Sequence, residues 1–157
     1  MIKIYTDGAT SGNGKANAVG GWAYLILNDN NEIIEKNSGR IEKATNNICE
    51  LTAILMGCEA VKDTADFVTV YSDSAYCINC YQEHWYLKWQ MNGWLNSKKQ
   101  PVANKELWEK LIPYFDNERF IFKKVHGHSN NDYNNIVDRM AVEAKFNLYG
   151  ETNDRHL

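Results

Sequence analysis

The order in which strand and helix periodicities follow one another constrains the fold of this chain most. Alternating or β-rich patterns at 2–7, 21–28 and 32–41 predict three strands that form an antiparallel meander. The rest of the chain predicts a helix at 45–62, a buried strand at 67–71, helices at 74–84, 85–92 and 104–115, a strand at 120–125 and a helix at 134–148. This order predicts an α/β fold: one five-stranded mixed sheet, three antiparallel strands followed by βα units, flanked by helices.

The length of 157 residues predicts one domain, which we place at 1–149, with 150–157 as a frayed polar tail. The net charge of −3 argues against a protein that coats nucleic acid without specificity, but it permits a local basic patch. No apolar run is long enough to span a membrane, and the first residues are too polar for a signal peptide. We therefore expect a cytoplasmic protein.

Four cysteines could form disulfides or hold zinc. Cys77 and Cys80 have the spacing of a metal or redox pair, but they lie in a helical pattern and no second Cys/His pair accompanies them. Without a secretory context, the cysteines are predicted to be reduced, partly buried thiols.

Two strand segments end in the same pattern of an aromatic residue, a hydroxyl residue, Asp and a small residue. These segments are Tyr5-Thr6-Asp7-Gly8 and Tyr71-Ser72-Asp73-Ser74. If the two strands are parallel neighbours, Asp7 and Asp73 lie side by side at one edge of the sheet.

Two further carboxylates occupy helices. Glu50 shares a helix face with the small residues Ala53 and Gly57, which allow that face to approach the sheet, and Asp138 begins the last helix. Taken alone, each of these acidic residues is explained by a turn or a helix cap as well as by a functional role. Four of them near a core repel one another unless a cation is bound, and oxygen ligands select magnesium or manganese over zinc.

Five motifs follow one another in this sequence. They are Tyr-Thr-Asp-Gly at 5–8, Thr-Asn-Asn-x-x-Glu-Leu at 45–51, Ser-Asp-Ser at 72–74, Gly-His-Ser at 127–129, and Asn134 followed four residues later by Asp138. In these motifs the sequence resembles type 1 ribonuclease H over about 1–148. The resemblance implies a ribonuclease H-like fold and an endonuclease that cuts the RNA strand of RNA–DNA hybrids.

The resemblance also implies that Asp7, Glu50, Asp73 and Asp138 hold two Mg²⁺ ions, for which Mn²⁺ can substitute. Two metals about 4 Å apart can activate water and stabilise the leaving 3′ oxygen, giving 5′-phosphate and 3′-hydroxyl products. Asp7 would bridge both ions, Glu50 and Asp73 would hold one, and Asp138 would help to hold the other. By resemblance, His128 assists proton transfer or product release.

RNA in a hybrid is recognised by its 2′-hydroxyls in a wide minor groove. By resemblance, Asn13, Asn46 and Asn47 contact the RNA strand, and Asn134 contacts nucleic acid near the metals. A pocket for a DNA phosphate is expected from Lys43, Thr45 and Asn104, although Asn104 could instead be only a helix N-cap. The first loop and Ala75 depart from the family pattern, which affects contacts rather than chemistry.

The segment 85–105 resembles the basic handle of bacterial members of the family. Four lysines and no acidic residue give 86–105 a net charge of +4. Tryptophans among these lysines suit a nucleic-acid groove. The predicted contacts are Lys88, Trp89, Trp94, Lys98 and Lys99, whereas Trp85 and Trp108 are expected to pack between helices.

Two alternatives remain at this point. Another ribonuclease H-like nuclease, of the integrase or resolvase type, would share the carboxylates but would not combine them with the Gly-His-Ser loop and the handle. A non-catalytic hybrid-binding module would carry a broken carboxylate set. For the ribonuclease H interpretation, the expected partner is an RNA–DNA hybrid, and the protein is expected to bind it as a monomer.

Overall fold

The computed structural model describes residues 1–13, 15–125 and 132–146, and the backbone of 152–155. The chain alternates between one sheet and the helices that cover it. Its elements are β1 (Ile2–Ser11), β2 (Val19–Leu27), β3 (Ile33–Glu42), α1 (Asn46–Ala60), β4 (Val68–Ser72), α2 (Ala75–Gln82), α3 (Trp85–Asn92), α4 (Lys105–Phe115), β5 (Phe120–Lys124), α5 (Asp132–Ala144) and β6 (Thr152–Arg155).

The strands form one mixed sheet in the order β5-β4-β1-β2-β3-β6. Strands β1, β2 and β3 are antiparallel neighbours, while β4 is parallel to both β1 and β5. The predicted α/β class and the antiparallel meander are confirmed. The parallel pairing of β1 with β4 is the arrangement under which the sequence analysis expected Asp7 and Asp73 to be neighbours.

The sheet has a sixth strand where the sequence analysis expected only a frayed tail. Thr152–Arg155 pairs with β3 in antiparallel register, from Glu35↔Arg155 to Ser38↔Thr152. An edge strand offers unpaired backbone N–H and C=O groups, so a polar segment can add to it without any hydrophobic alternation. Such a strand leaves no periodic signal in the sequence.

Strand β1 is longer than its hydrophobic alternation suggests. Its parallel pairing with β4 ends at Tyr5↔Tyr71, but its antiparallel pairing with β2 continues to Ser11↔Val19. Asp7 therefore lies inside β1, at the point where β4 leaves the sheet, and not at a strand end. The sequence patterns left residues 8–20 outside the first two predicted strands. In the structure, the connection between these strands is only the turn between Ser11 and Val19.

The core has one cluster on each face of the sheet. On one face, Ile4 and Tyr24 pack with Leu51 and Ile54 of α1 and with residues of α2 and α4. On the other face, Leu25 and its neighbours pack against α5. Both faces are thus covered, and the site lies where α1, α5 and the sheet meet.

All four cysteines are buried and free of disulfides. Burial raises the pKa of each thiol, to about 12 for Cys49 and Cys80. The thiols are thus buried more completely than the partial burial that the sequence analysis expected. In the part of the chain that the structure describes, no helix has both the length and the apolar character needed to cross a membrane.

Candidate active site

Three of the predicted carboxylates converge at one edge of the sheet. Asp7 comes from the middle of β1, Asp73 follows the end of β4, and Glu50 projects from the second turn of α1. One ligand oxygen from each lies within 4.8 Å of the other two. The matched strand patterns therefore correctly predict that Asp7 and Asp73 are neighbours.

Helix α1 is held over the sheet by its own cap and by a glycine of β1. Thr45 is the N-cap, and its hydroxyl accepts a hydrogen bond of 3.1 Å from the Ile48 N–H, as predicted. The Gly8 N–H lies 2.8 Å from Asp7 Oδ1 and 3.0 Å from Glu50 Oε1, and donates to both. This one backbone donor fixes two carboxylates relative to each other.

Gly8 is a site residue that the sequence analysis did not identify. A Cβ atom there would lie 2.6 Å from the Cys49 carbonyl carbon, so a side chain would push α1 away from β1. The only signal in the sequence is the glycine that follows Asp7, and such glycines are common in strands beside loops. Its role depends on a helix more than 40 residues further along the chain.

Mutual repulsion and burial keep these carboxylates from ionising together. Asp7 is 4 % exposed, and its pKa is raised to about 8, first by burial, then by the charge of Asp73 and by a hydrogen bond with the Asp138 carboxyl. Burial also raises the pKa of Glu50 well above its usual range, and the charges of Asp7 and Asp73 add to this. The pKa of Asp73 is raised too, mainly by burial.

The donor set fits a hard divalent cation. Glu50 Oε2 is buried, and no hydrogen-bond donor of the described residues reaches it. Its neighbours, Asp7 and Asp73, supply only further acceptor oxygens once ionised. Three clustered carboxylates, one of which has a buried oxygen without a partner among the described residues, suit Mg²⁺ or Mn²⁺ and include none of the N or S ligands that zinc favours.

Asp138 lies beside this triad and not within it. It is an exposed residue of α5, and it reaches the triad through its hydrogen bond with Asp7 and through its charge, which acts on Asp73. Asn134, one turn earlier, is 5 % exposed, so only a small part of it is accessible for the predicted contact near the metals. His128 lies outside the described residues.

The predicted RNA-strand contacts cluster at the start of α1. Asn13, Asn46 and Asn47 are all exposed. The Asn46 N–H donates to Asn13 Oδ1 over 3.0 Å, and the Thr10 hydroxyl donates to Asn46 Oδ1. The first loop is thereby tied to the N-terminus of the helix that carries Glu50, and amide groups of Asn13 and Asn47 point to the surface.

The predicted phosphate pocket consists of residues with different local roles. Lys43 is exposed and has a left-handed backbone with φ of 53°. Thr45 is the N-cap of α1. Asn104 stands at the N-cap position of α4 with φ of 63°, but its side chain makes no capping hydrogen bond. Asn104 thus occupies the N-cap position that the sequence analysis offered as an alternative, but its side chain does not cap the helix.

The handle encloses a groove of about 810 Å³ between α3 and the loop that follows it. Lys88 and Trp85 line it, and Lys98 and Lys99 lie exposed in the same loop. The remaining lining residues come from α2, α3 and the loop: Tyr76, Trp89, Asn92, Leu95, Asn96, Ser97, Gln100, Pro101, Val102 and Ala103.

Not every predicted tryptophan contact is open to a ligand. Trp89 is 8 % exposed, with its ring 5.8 Å from that of Trp94 and 5.4 Å from that of Trp108, so it forms the floor of the groove and is not a free stacking surface. Trp89 is buried because apolar side chains of α3 and of the neighbouring helices pack around it. Trp94 is only partly buried, and the ammonium of Lys105 lies 5.6 Å from its ring centre. Trp108 is fully buried, as predicted.

Comparison with known proteins places this site in one family. The family model described as RNase H matches residues 1–146. A ribonuclease H of Thermoanaerobacter sp. (strain X514) is 44 % identical over 143 residues, covering 91 % of this chain and 88 % of the relative. A ribonuclease H of Clostridium botulinum (strain Hall) is 41 % identical over 149 residues, covering 94 % of this chain and 98 % of the relative.

Solved structures show the same fold at low identity. The crystal structure of LC11-RNase H1 in complex with RNA/DNA hybrid has a TM-score of 0.69 at 23 % identity, covering 93 % of this chain and 97 % of that one. The solution structure of the PFV RNase H domain has a TM-score of 0.77 at 19 % identity, covering 92 % and 94 %.

Proposed function

The chain belongs to the RNase H family and is an endoribonuclease of RNA–DNA hybrids, and we propose that its acidic site cuts the RNA strand with two Mg²⁺ ions bound. The observation that carries the proposal is the convergence of Asp7, Glu50 and Asp73 within 4.8 Å around a buried, unpartnered Glu50 oxygen. Fully ionised carboxylates this close in a low-dielectric setting need a counter-charge, which a divalent cation supplies.

The four carboxylates divide between two ion sites. Asp7 lies between the other acids and would contact both ions, Glu50 and Asp73 would hold one, and Asp138 would help to hold the second from α5. When bound, the ions supply activation of the attacking water and stabilisation of the leaving 3′ oxygen, giving 5′-phosphate and 3′-hydroxyl ends. Mn²⁺ satisfies the same oxygen ligands.

The protein's own groups prepare this site. The Gly8 N–H holds Asp7 and Glu50 in fixed orientations before any ion binds. The exposed position of Asp138 leaves the outer side of the site open to a phosphodiester. We propose that His128, which precedes α5 in the sequence, moves a proton at the leaving oxygen or assists product release, because imidazole titrates near neutral pH.

Recognition of the RNA strand would fall to the exposed amides of Asn13, Asn46 and Asn47, which can exchange hydrogen bonds with 2′-hydroxyls. Asn134, which is almost fully buried on α5, would contact nucleic acid near the metals. The DNA strand would be gripped at a phosphate by Lys43, Thr45 and Asn104. The uncapped Asn104 amide supports this assignment, because it is not used by α4.

The handle would bind the hybrid through charge and shape. Lys88, Lys98 and Lys99 would contact phosphates along the groove, while Trp94 offers the partly exposed ring. Trp89 supports the groove from below. All proposed contacts come from one chain, so we expect the monomer to act alone. The four buried free thiols suit a reducing compartment such as the cytoplasm.

Substrate specificity and metal dependence test the proposal together. The protein is incubated with labelled RNA–DNA, RNA–RNA, DNA–DNA and single-stranded RNA, with and without Mg²⁺. We expect cleavage of the RNA strand of the hybrid alone, and only with the metal. Asp7→Asn should abolish cleavage and largely retain hybrid binding, while Asp66→Asn, at an exposed loop acid, should cleave normally. Asp7→Asn cleavage within tenfold of wild type would refute the assignment.

A further inference from the structure

Three tyrosines form a stack on the α5 face of the sheet. Tyr5 and Tyr71 are register partners on the parallel strands β1 and β4, and their rings lie 4.7 Å apart with an interplanar angle of 13°. The ring of Tyr133, in the first turn of α5, lies 5.5 Å from that of Tyr5 at 39°. The Tyr5–Tyr71–Tyr133 stack therefore joins two strands and one helix.

Each member of the stack lies on the element that carries a carboxylate of the site or directly precedes it. Tyr5 and Tyr71 each precede an acid by two residues, and because side chains alternate along a strand, Tyr5 and Asp7 share a face. Tyr133 lies on α5, which also carries Asp138. The stack thus connects the three elements that supply Asp7, Asp73 and Asp138.

Helix α5 is anchored at points on either side of Asp138. Toward its C-terminus its backbone touches the sheet, since a Cβ atom on Gly21 would lie 2.1 Å from the Ala141 carbonyl oxygen. In its first turn, the Tyr133 ring packs on Tyr5, and the Tyr133 hydroxyl donates to the Asn31 carbonyl oxygen over 3.0 Å. Asp138 lies between these anchors, so a change at the aromatic end would shift this residue relative to Asp7.

We propose that the Tyr5–Tyr71–Tyr133 stack is a positioning unit that sets the place of Asp138 relative to Asp7 and thereby the affinity for the second metal ion. The inference rests on the proposed two-ion function. Glu50 and Asp73 are fixed by other contacts, because Gly8 holds Glu50 and Asp73 directly follows β4. Asp138 depends on how α5 docks, and the aromatic stack contributes to that docking together with the buried Val137 and Ala141.

The test compares variants that keep or remove one ring. Tyr71→Leu removes the stacking partner, and Tyr71→Phe keeps it. Tyr81→Leu is the matched control, because Tyr81 is also partly buried and its ring lies 4.8 Å from that of Phe122, in the other core cluster. Each variant is assayed for kcat against Mg²⁺ concentration, for KM of the hybrid, and for Mn²⁺ binding to the free protein by calorimetry.

Tyr71→Leu should raise the Mg²⁺ concentration for half-maximal kcat by up to about tenfold, the range that a lost aromatic pair allows. Mn²⁺ binding should weaken in parallel and KM for the hybrid should stay unchanged. Tyr71→Phe and Tyr81→Leu should stay within about twofold of wild type. If Tyr71→Leu does not fold, Tyr133→Leu provides the same comparison from α5.

A double-variant cycle with Asp138→Asn shows whether the stack acts through Asp138. Once Asp138 is replaced, Tyr71→Leu should cause little further loss in metal affinity. The positioning role would be overturned if Tyr71→Leu and Tyr81→Leu showed equal metal dependence. It would also be overturned if the losses of metal affinity in Tyr71→Leu and Asp138→Asn were fully additive. Neither result would bear on the proposed two-ion function. An Asp138→Asn variant with unchanged Mg²⁺ dependence would instead overturn the proposed second-ion site.

Discussion

Asp7→Asn should stabilise the metal-free protein at neutral pH. It should also make the free energy of unfolding depend less on pH between pH 4 and pH 8. Burial, the charge of Asp73 and the Asp138 hydrogen bond raise the pKa of Asp7 from 3.8 to about 8. The folded state therefore retains a proton that the unfolded state releases. Stability from this group is complete below the unfolded pKa and is lost as pH rises through the folded one.

The size of the effect follows from the pKa of Asp7. One pKa unit corresponds to about 1.4 kcal/mol, so the free energy of unfolding should fall by about 4 kcal/mol between pH 4 and pH 7. A domain of this size changes its Tm by roughly 2–4 °C per kcal/mol, which gives a difference of about 10 °C. In Asp7→Asn, the amide oxygen can still accept from Gly8, and the new N–H₂ can donate to Glu50.

Thermal unfolding of EDTA-treated protein at several pH values measures this directly, with Asp66→Asn as the control for loss of one exposed negative charge. The wild-type Tm should fall as pH rises, and Mg²⁺ should restore it. Asp7→Asn should show a flatter profile and a smaller response to Mg²⁺. Parallel Tm profiles for wild type and Asp7→Asn would refute the reasoning that this carboxylate is held under electrostatic strain.

Four further predictions concern the lysines of the handle, His128, the four thiols and Gly8. Replacing Lys88, Lys98 and Lys99 together by Ala should raise KM with kcat nearly unchanged and lower the salt slope by up to about 3, which kinetics at several KCl concentrations will show. His128→Ala should lower kcat by about 10²–10⁴-fold or less, and a loss as complete as in Asp7→Asn would contradict the assisting role. The four buried thiols should react with a thiol reagent far more slowly in the folded protein than in denaturant, and activity should survive a zinc-selective chelator. Gly8→Ala should lower Tm and weaken Mn²⁺ binding, because its Cβ would meet the Cys49 backbone at 2.6 Å; normal metal binding would argue against that close approach.

The sequence determines the order of the elements and the chemistry of the site, because both are written in local patterns. Alternation and helical periodicity identify the strands of the meander, β4, β5 and all five helices to within a few residues. The repeated pattern before Asp7 and Asp73 predicts that these acids are neighbours if their strands are parallel neighbours, and the fold meets this condition. Thr45 is recognisable as an N-cap because a cap depends only on residues within one turn.

Only the tertiary structure determines how deeply a side chain is buried and how far apart elements remote in sequence lie. Periodicity tells which face of α3 is apolar, but it cannot tell that Trp89 lies in the floor of the groove while Trp94 stays partly open. It predicts neither the strand β6, which pairs through backbone groups, nor the unused side chain of Asn104. These outcomes depend on contacts across the fold.

The acidic site shows the same division most clearly. Residue types and spacing point to four carboxylates, but their pKa values depend on burial and on charges that meet only when α1 and α5 close on the sheet. Gly8 has no role until Cys49 of α1 rests against it, and the tyrosine stack exists only because β1, β4 and α5 converge. A local pattern records which groups a segment offers, whereas the packing of segments far apart in the chain fixes how near these groups stand and therefore what they can bind.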